Sequence, residues 1–298
     1  MEVRHLELLR ELADRGSLAA VAAATHRTPS ALSQQLRTAE RDLRVRLVEP
    51  DGRRLRLTVA GQLLADGAVS VATALGQVQH DLDALRGEPT GVVRIAALPS
   101  AAEVLVPPLL LELAGTAVTV ELDDVDIAEA DYATQTADYD IVIGHSMARR
   151  PSTEQHLYVR PLAREPLDVA IPTSHPLARR SEVRAADLAG QPWIGVPLGY
   201  PFDALRIAIE NRAGAAVDLR YRVRDNRLVE SLVAVGAGLA ILPRYTTRTR
   251  ESVVTLPIAD VRSTRTLLAL SRPDRAQRAA VTAVLDHLRE IGRRLTSR

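Results

Sequence analysis

Cysteine is absent from this 298-residue chain, which removes disulfides, thiolate metal sites and cysteine nucleophiles in one step. Lysine is absent as well, so every basic side chain other than histidine is an arginine. That excludes a lysine-bearing phosphate loop and Schiff-base catalysis, and is read as codon bias in a GC-rich genome. Aromatic residues are scarce, with one tryptophan, one phenylalanine and six tyrosines, yet an apolar share of 46% suffices for ordinary cores. Neither sign of charge is in excess, the net being +1, so any nucleic-acid contact must be local. The longest apolar run, Leu232 to Leu242, is too short to span a bilayer and contains glycines. The N-terminus alternates charge with leucine and has no signal-peptide core. A soluble, cytoplasmic protein without a membrane partner is expected.

Catalytic signatures are also missing. There is no G-x-S-x-G elbow, no H-E-x-x-H, and no His/Asp/Glu cluster at metal-ligand spacing, so neither an enzyme, a metal site nor a cofactor is expected. Gly236-Ala237-Gly238 lacks the third glycine of a dinucleotide fingerprint and follows a predicted helix where that fingerprint follows a strand.

The stretch Thr28 to Thr58 is the most informative part of what is present. Thr28 is a good N-cap and Pro29 fits the first helical position, where its missing amide costs nothing. Leu32, Leu36, Ala39 and Leu43 then recur at helical steps and define a buried face. The opposite face carries Ser30, Ser33, Gln34, Arg37 and Arg41. Hydroxyls, an amide and guanidiniums suit base edges and phosphates in a major groove, although alone they equally describe a solvated surface. Upstream, Val3, Leu6, Leu9 and Ala13 mark one helix and Ser17 opens a second, Leu18 to Ala24, which makes a helix-turn-helix. Downstream, Asp51-Gly52 supplies a turn between Leu47-Val48 and Leu55-Leu57, a two-stranded wing whose Arg53 and Arg54 can reach a phosphate or minor groove. From Arg27 to Arg56 there are eight arginines against four acids. Thr28, Pro29, Ser30, Ser33, Gln34, Arg37, Arg53 and Arg54 are therefore the candidate contacts to double-stranded DNA.

These residues resemble the LysR-type transcriptional regulators. The family pattern is matched at Gly16-Ser17, Ala22-Ala23, Ala31-Leu32-Ser33-Gln34-Gln35-Leu36, Glu40, Leu43, Gly52-Arg53 and Leu57-Thr58-x-x-Gly61. Departures are Thr25 and Ala39 for leucine, Arg27 for a buried aliphatic residue, Pro29 for a glutamine that often faces DNA, and Val48-Glu49-Pro50 for Phe-x-Arg. The resemblance implies an N-terminal winged helix-turn-helix (1–58), a linker helix and hinge (59–90), and a two-lobed, periplasmic-binding-protein-like α/β effector domain (91–298). It further implies a homodimer or homotetramer, promoter DNA and a small-molecule effector as partners, and an influence on RNA polymerase access.

The residues alone carry much of that plan. After Thr58, Leu64, Ala68, Val71, Leu75, Val78, Leu82 and Leu85 recur at steps of four and three, a heptad seam on a helix about 40 Å long. Such a seam pairs either with its own copy or with the rest of the chain. Gly87-Glu88-Pro89-Thr90-Gly91 then reads as a hinge. Beyond it, strands at Val92 to Ala97, Val118 to Leu122, Asp140 to Gly144, Leu167 to Ile171, Trp193 to Val196, Leu219 to Val223, Leu239 to Leu242 and Thr266 to Leu270 alternate with helices. This predicts largely parallel sheets in two lobes, lobe I near 91–160 and 265–298 and lobe II near 161–264, crossed by two strands. The Gly236-x-Gly238-x-x-x-Leu242-Pro243 run matches a motif recurrent in the family.

Effector candidates sit on the turns at the carboxyl ends of strands, where free amides gather and lobes meet. They are Ser100 and Ala101, His145 and Ser146, Pro197, Leu198, Tyr200, Phe202, and Asn226. The resemblance singles out Ser100, for which a plain helix cap is the alternative role. Trp193, Tyr200 and Phe202 either wall a pocket or fill a core. A different class of function also fits these features: an enzyme or solute-binding module fused to a DNA-binding head.

Overall fold

The computed structural model describes residues 2–51, 54–125, 131–148, 157–247 and 252–296, with the side chains of Arg54, Ala84 and Arg86 excepted. Three short helices open the chain: α1 (Val3–Arg15), α2 (Leu18–Thr25) and α3 (Pro29–Leu43). Each boundary has a local cause. Gly16 ends α1 in the left-handed conformation, the Ser17 hydroxyl accepts from the Ala20 amide to start α2, and the Thr28 hydroxyl accepts from the Ala31 amide to start α3. Leu9, Leu12, Val21, Leu32 and Leu36 meet in one core beneath the three helices. The wing is an antiparallel pair of β1 (Val48–Asp51) and β2 (Arg54–Leu57). Glu40 fixes it to α3 by accepting from the Leu47 amide at 2.9 Å. Gly61 then admits the chain: a Cβ there would lie 2.1 Å from the Leu47 carbonyl oxygen.

The linker is α4 (Val59–Arg86), capped by Thr58. The seam divides along its length. The early positions are covered within the chain, with Ala68 3% exposed, whereas Leu75, Val78, Leu82 and Leu85 are 54%, 66%, 41% and 86% exposed. By length and composition alone Val59–Asp83 is apolar enough to cross a membrane. Much of that apolar character lies in the seam positions from Leu75 to Leu85, which stay exposed.

The effector domain is built on β3 (Thr90–Ala97), β4 (Ala117–Asp124), β5 (Ile141–Ser146), β6 (Tyr158–Pro172), β7 (Pro192–Gly195), β8 (Asp218–Arg222), β9 (Leu239–Pro243), β10 (Val253–Leu256) and β11 (Thr264–Ser271). The strand order is β4-β3-β5-β11-β6-β9-β7-β8, with β10 also paired to β6. The expectation of largely parallel sheets needs correction. β3 pairs parallel with β4 and β5, and β7 with β8 and β9, but every pairing of β6 and β11 is antiparallel. The crossing strands run against the strands of each lobe, so each lobe is a parallel sheet with an antiparallel border. Helices α5 (Pro99–Glu112) and α11 (Ala279–Thr296) pack on lobe I, and α8 (Pro201–Ala213) and α9 (Asn226–Ala234) on lobe II. Short helices α6 (Tyr132–Gln135), α7 (Ala185–Leu188) and α10 (Pro273–Ala276) complete the set.

Head and effector domain touch through charge. Arg10 of α1 binds Asp274 of α10 at 2.8 Å, Arg15 binds Asp138 at 2.8 Å, and Arg272 binds Glu11 at 2.7 Å and also Asp14. Burial alone would raise the Glu11 carboxyl, but hydrogen bonds from Arg272 and Arg15 outweigh it and hold the carboxyl below its ordinary range. Gly76 of α4 lets α10 approach, since a Cβ there would sit 2.8 Å from the Asp274 carbonyl oxygen.

Candidate functional site

The exposed face of α3 is as polar as its sequence requires. Thr28, Pro29, Ser30, Gln34 and Arg37 are exposed and Ser33 is half-buried, while Leu32, Leu36 and Ala39 point inward. Arg37 donates to the Ser33 hydroxyl at 2.8 Å, and the hydroxyls of Thr28 and Ser30 are 3.1 Å apart. Gln35 is turned from this face: it donates to the Arg4 carbonyl at 2.6 Å and accepts from Arg27 at 2.7 Å. Arg53 lies outside the described residues, and Arg54 is described only as backbone in β2. Arg56 of the wing is paired with Glu49, so that cation is partly neutralised within the protein.

A cavity of about 410 Å³ lies where the two lobes meet. One wall comes from lobe I: Leu98, Pro99, Ser100 and Glu103 around the start of α5, Asp124 at the end of β4, and His145 of β5. The other comes from lobe II, with Val196, Tyr200, Pro201 and Phe202 leading into α8, and Arg224, Asp225, Asn226, Arg227 and Glu230 at and in α9. Thr246, and Arg265 of the crossing strand β11, complete the lining. Three helices thus start at one cavity and turn the positive ends of their dipoles to it, although Pro99 and Pro201 have no amide hydrogen and the Ala101 and Asp203 amides donate to the Leu98 and Tyr200 carbonyls at 3.0 and 2.9 Å. Neither α5 nor α8 has a side-chain cap, whereas Asp225 caps α9 by accepting from the Leu228 amide at 2.9 Å.

Arg265 organises the floor. Its guanidinium is 1% exposed and faces the fully buried carboxylate of Glu165 on the other crossing strand, donating from Nε at 2.7 Å. The second Glu165 oxygen accepts from the Tyr245 amide at 2.7 Å. From the same guanidinium, Nη1 reaches the Ser100 hydroxyl oxygen and His145 Nδ1, both at 3.0 Å. An arginine has nothing to accept with, so both neighbours must accept from it. The Ser100 O–H is left as a donor and the His145 proton is assigned to Nε2. Burial, helped by the Arg265 charge, pushes His145 down to about 3, so it is neutral throughout the physiological range. Its ring stacks on Phe202 at 5.5 Å and 18°, and Arg265 lies 5.8 Å from the same ring centre. Tyr132 holds His145 from behind: its hydroxyl accepts from the His145 amide at 3.0 Å, and Gly144 leaves room for the ring.

Five of the nine effector candidates, Ser100, His145, Tyr200, Phe202 and Asn226, come together on this cavity. Ser100 does not cap α5; the cap position is Leu98, and the hydroxyl serves Arg265. Four candidates lie elsewhere. Ala101 faces the lobe I core, one residue round the helix from Ser100. Ser146 is 1% exposed and accepts from the Ala148 amide. Pro197 and Leu198 belong to the loop before α8, which swings out at Gly199 and leaves Leu198 72% exposed. Trp193 fills the lobe II core. The residues that sequence reasoning missed, above all Arg265, Glu165, Glu103 and Glu230, are charges inside strands and helices. The one local signal was Arg265 standing beside the apolar run Leu267 to Leu270 of a predicted strand.

Comparison with known proteins places these parts in a family. Residues 3–62 match the model described as bacterial regulatory helix-turn-helix protein, lysR family, and residues 86–293 match the LysR substrate binding domain. The chain is 29% identical over 295 residues to the DNA-binding transcriptional dual regulator OxyR of Escherichia coli, covering 97% of this chain and 95% of that one. It is 29% identical over 291 residues to the HTH-type transcriptional regulator MetR of Salmonella typhimurium, covering 95% and 87%. Among solved structures, a full-length OxyR variant from Pseudomonas aeruginosa superposes with a TM-score of 0.66 at 18% identity, over 97% of this chain and 95% of that one. Full-length CbnR complexed with its target DNA gives 0.55 at 21%, over 98% and 100%.

Proposed function

The chain belongs to the LysR family of transcriptional regulators, and on that footing we propose that residues 1–58 read operator DNA, 59–90 pair two copies, and 91–298 bind the controlling small molecule. It is a DNA-binding regulator and not an enzyme. In this reading α3 enters the major groove, with Ser30, Ser33, Gln34 and Arg37 toward base edges and phosphates and the wing arginines Arg53 and Arg54 anchoring beside it. The exposed half of α4 joins two such heads, giving a dimer or, through further contacts, a tetramer that addresses paired half-sites. Such a protein works in the cytoplasm, beside the DNA and the polymerase whose access it alters.

The observation that supports ligand control is the cavity at the lobe junction. Its residues come from both lobes and from the crossing strand β11, and Glu103 of α5 is paired with Arg227 of α9 across it. A ligand that prefers one spacing of the lobes shifts the population of lobe arrangements. Lobe I carries the ion pairs to α1, so the shift reaches the DNA-binding head by linkage. Several relatives are named hydrogen peroxide-inducible genes activators. A chain with no cysteine has no thiol to oxidise, so a thiol-based peroxide signal is excluded here.

Ser100→Phe tests the cavity as the control point. The added ring occupies the lobe I wall, so operator affinity is expected to stay near wild type while the effector response in a promoter-reporter assay disappears. Loss of DNA affinity together with the response would count against a separate ligand site.

A further inference from the structure

Arg27 stands where the resemblance places a buried aliphatic residue, yet its side chain is exposed. It immediately precedes Thr28, the cap of α3, and its backbone amide donates to the Ala22 carbonyl at 3.0 Å, which fixes the turn from which the side chain leaves. The guanidinium extends along α3 to Gln35, donating from Nη2 to Oε1 at 2.7 Å. Gln35 is itself held, its amide donating to the Arg4 carbonyl of α1 at 2.6 Å. The partner of Arg27 is thus a neutral amide, and among the described residues no carboxylate pairs with it. Its neighbours differ: Arg4 is paired with Glu2 at 2.8 Å, and Arg56 of the wing with Glu49. The bond to Gln35 uses one N–H of the guanidinium fork, which has others to give.

Helical spacing places this cation on α3. Leu32, Leu36, Ala39 and Leu43 centre the buried face. At about 100° per residue, Gln35 lies about 70° to one side of that centre and Glu40 about 70° to the other. Glu40 is the residue that fixes the wing, through the Leu47 amide. Wing and Arg27 are therefore attached to opposite flanks of α3, with the exposed Ser30, Gln34 and Arg37 between them. The inference that follows rests on the reading proposed above, in which α3 occupies a major groove. That groove is about 12 Å wide and a helix with its side chains about 10–12 Å across, so each flank stands against one of the two phosphate strands. The wing answers one strand, and the flank that carries Arg27 meets the other.

We propose that Arg27 anchors the phosphate strand on the side of α3 away from the wing, as a contact that is independent of base sequence. A guanidinium suits a phosphate because its N–H groups are set at fixed spacing, and one already ordered by Gln35 loses less freedom on binding. The test uses the full-length protein and two duplexes of equal length: a dyad-symmetric segment that the wild type selects from a random-sequence library, and its scrambled counterpart. Affinities are measured across a salt series, with thermal unfolding alongside. Arg27→Gln is expected to leave Tm unchanged, since the side chain is exposed, and to weaken both duplexes alike, about tenfold or more at low salt. It is also expected to reduce the slope of log affinity against log salt by about 0.9 for each head engaged. Arg27→Lys keeps the charge, and should keep the wild-type slope while recovering part of the affinity. A wild-type slope in Arg27→Gln overturns the proposal whether or not affinity falls, because no phosphate contact has then been lost. A loss confined to the selected segment also overturns it, since Arg27 would then read bases. Either result leaves the reading of α3 intact as long as Arg37→Ala weakens the selected segment. A wild type that selects no segment, or binds without regard to salt, removes that reading itself.

Discussion

Leu75→Glu is expected to turn the dimer into a monomer and to weaken operator binding by about 10²–10⁴-fold, the factor lost when two linked half-site contacts become one. The mutated side chain is 54% exposed in the protomer, so a carboxylate there costs the isolated chain little. In a helix pair the same carboxylate would be forced into an apolar seam beside Val78 and Leu82, without a partner. Fold and assembly are thus separable: circular dichroism and thermal unfolding of the variant report the fold, and sedimentation equilibrium reports the mass. A variant that stays dimeric assigns the seam to another use and leaves the exposure of four apolar positions unexplained.

Arg265→Met is expected to destabilise the effector domain by about 3–5 kcal/mol, because it strands the Glu165 carboxylate in the core with the Tyr245 amide as its remaining donor among the described residues. For a domain of this size that corresponds to a fall in Tm of about 10 °C. The pair is not thereby a net source of stability. Glu165→Gln added to Arg265→Met removes the orphaned charge, keeps an acceptor for Tyr245, and should recover most of the loss. What the double variant should not recover is ligand response, since Ser100 and His145 lose the donor that orders them. A cost below about 1 kcal/mol for the single variant would show that the carboxylate finds a proton or water instead.

How far the sequence disclosed these features follows from the range of the interactions behind them. Helix α3 was legible because Thr28, Pro29 and four apolar positions at helical spacing are all local. The α4 seam was legible for the same reason, but which half would remain open depends on α1 and α10, which only the folded chain brings to it. Strand β6 was read only from Leu167 to Ile171, although it begins at Tyr158. The part before Leu167 carries Pro161 and Pro166, which argue against a central strand. The structure accommodates them with a bulge opposite Leu267 and Leu268, and with Pro166 at the border of the β11 ladder. The cavity follows the same division. Asn226 lies on a strand-to-helix turn legible from its position, and Ser100 on another that the resemblance also marks, while Arg265 and Glu165 acquire meaning from each other across 100 residues of sequence.

The DNA-reading role of α3 and the wing carries the rest of the assignment. It is tested most directly by measuring the affinity of wild type and Arg37→Ala for a dyad-symmetric promoter segment, against a scrambled duplex, across a salt series. Wild type is expected to show specific binding that falls on the order of 10³-fold between about 50 and 200 mM salt, as released counterions require. Arg37→Ala is expected to lose about 1–3 kcal/mol of that binding. Specific binding that ignores both the salt and the substitution would contradict it.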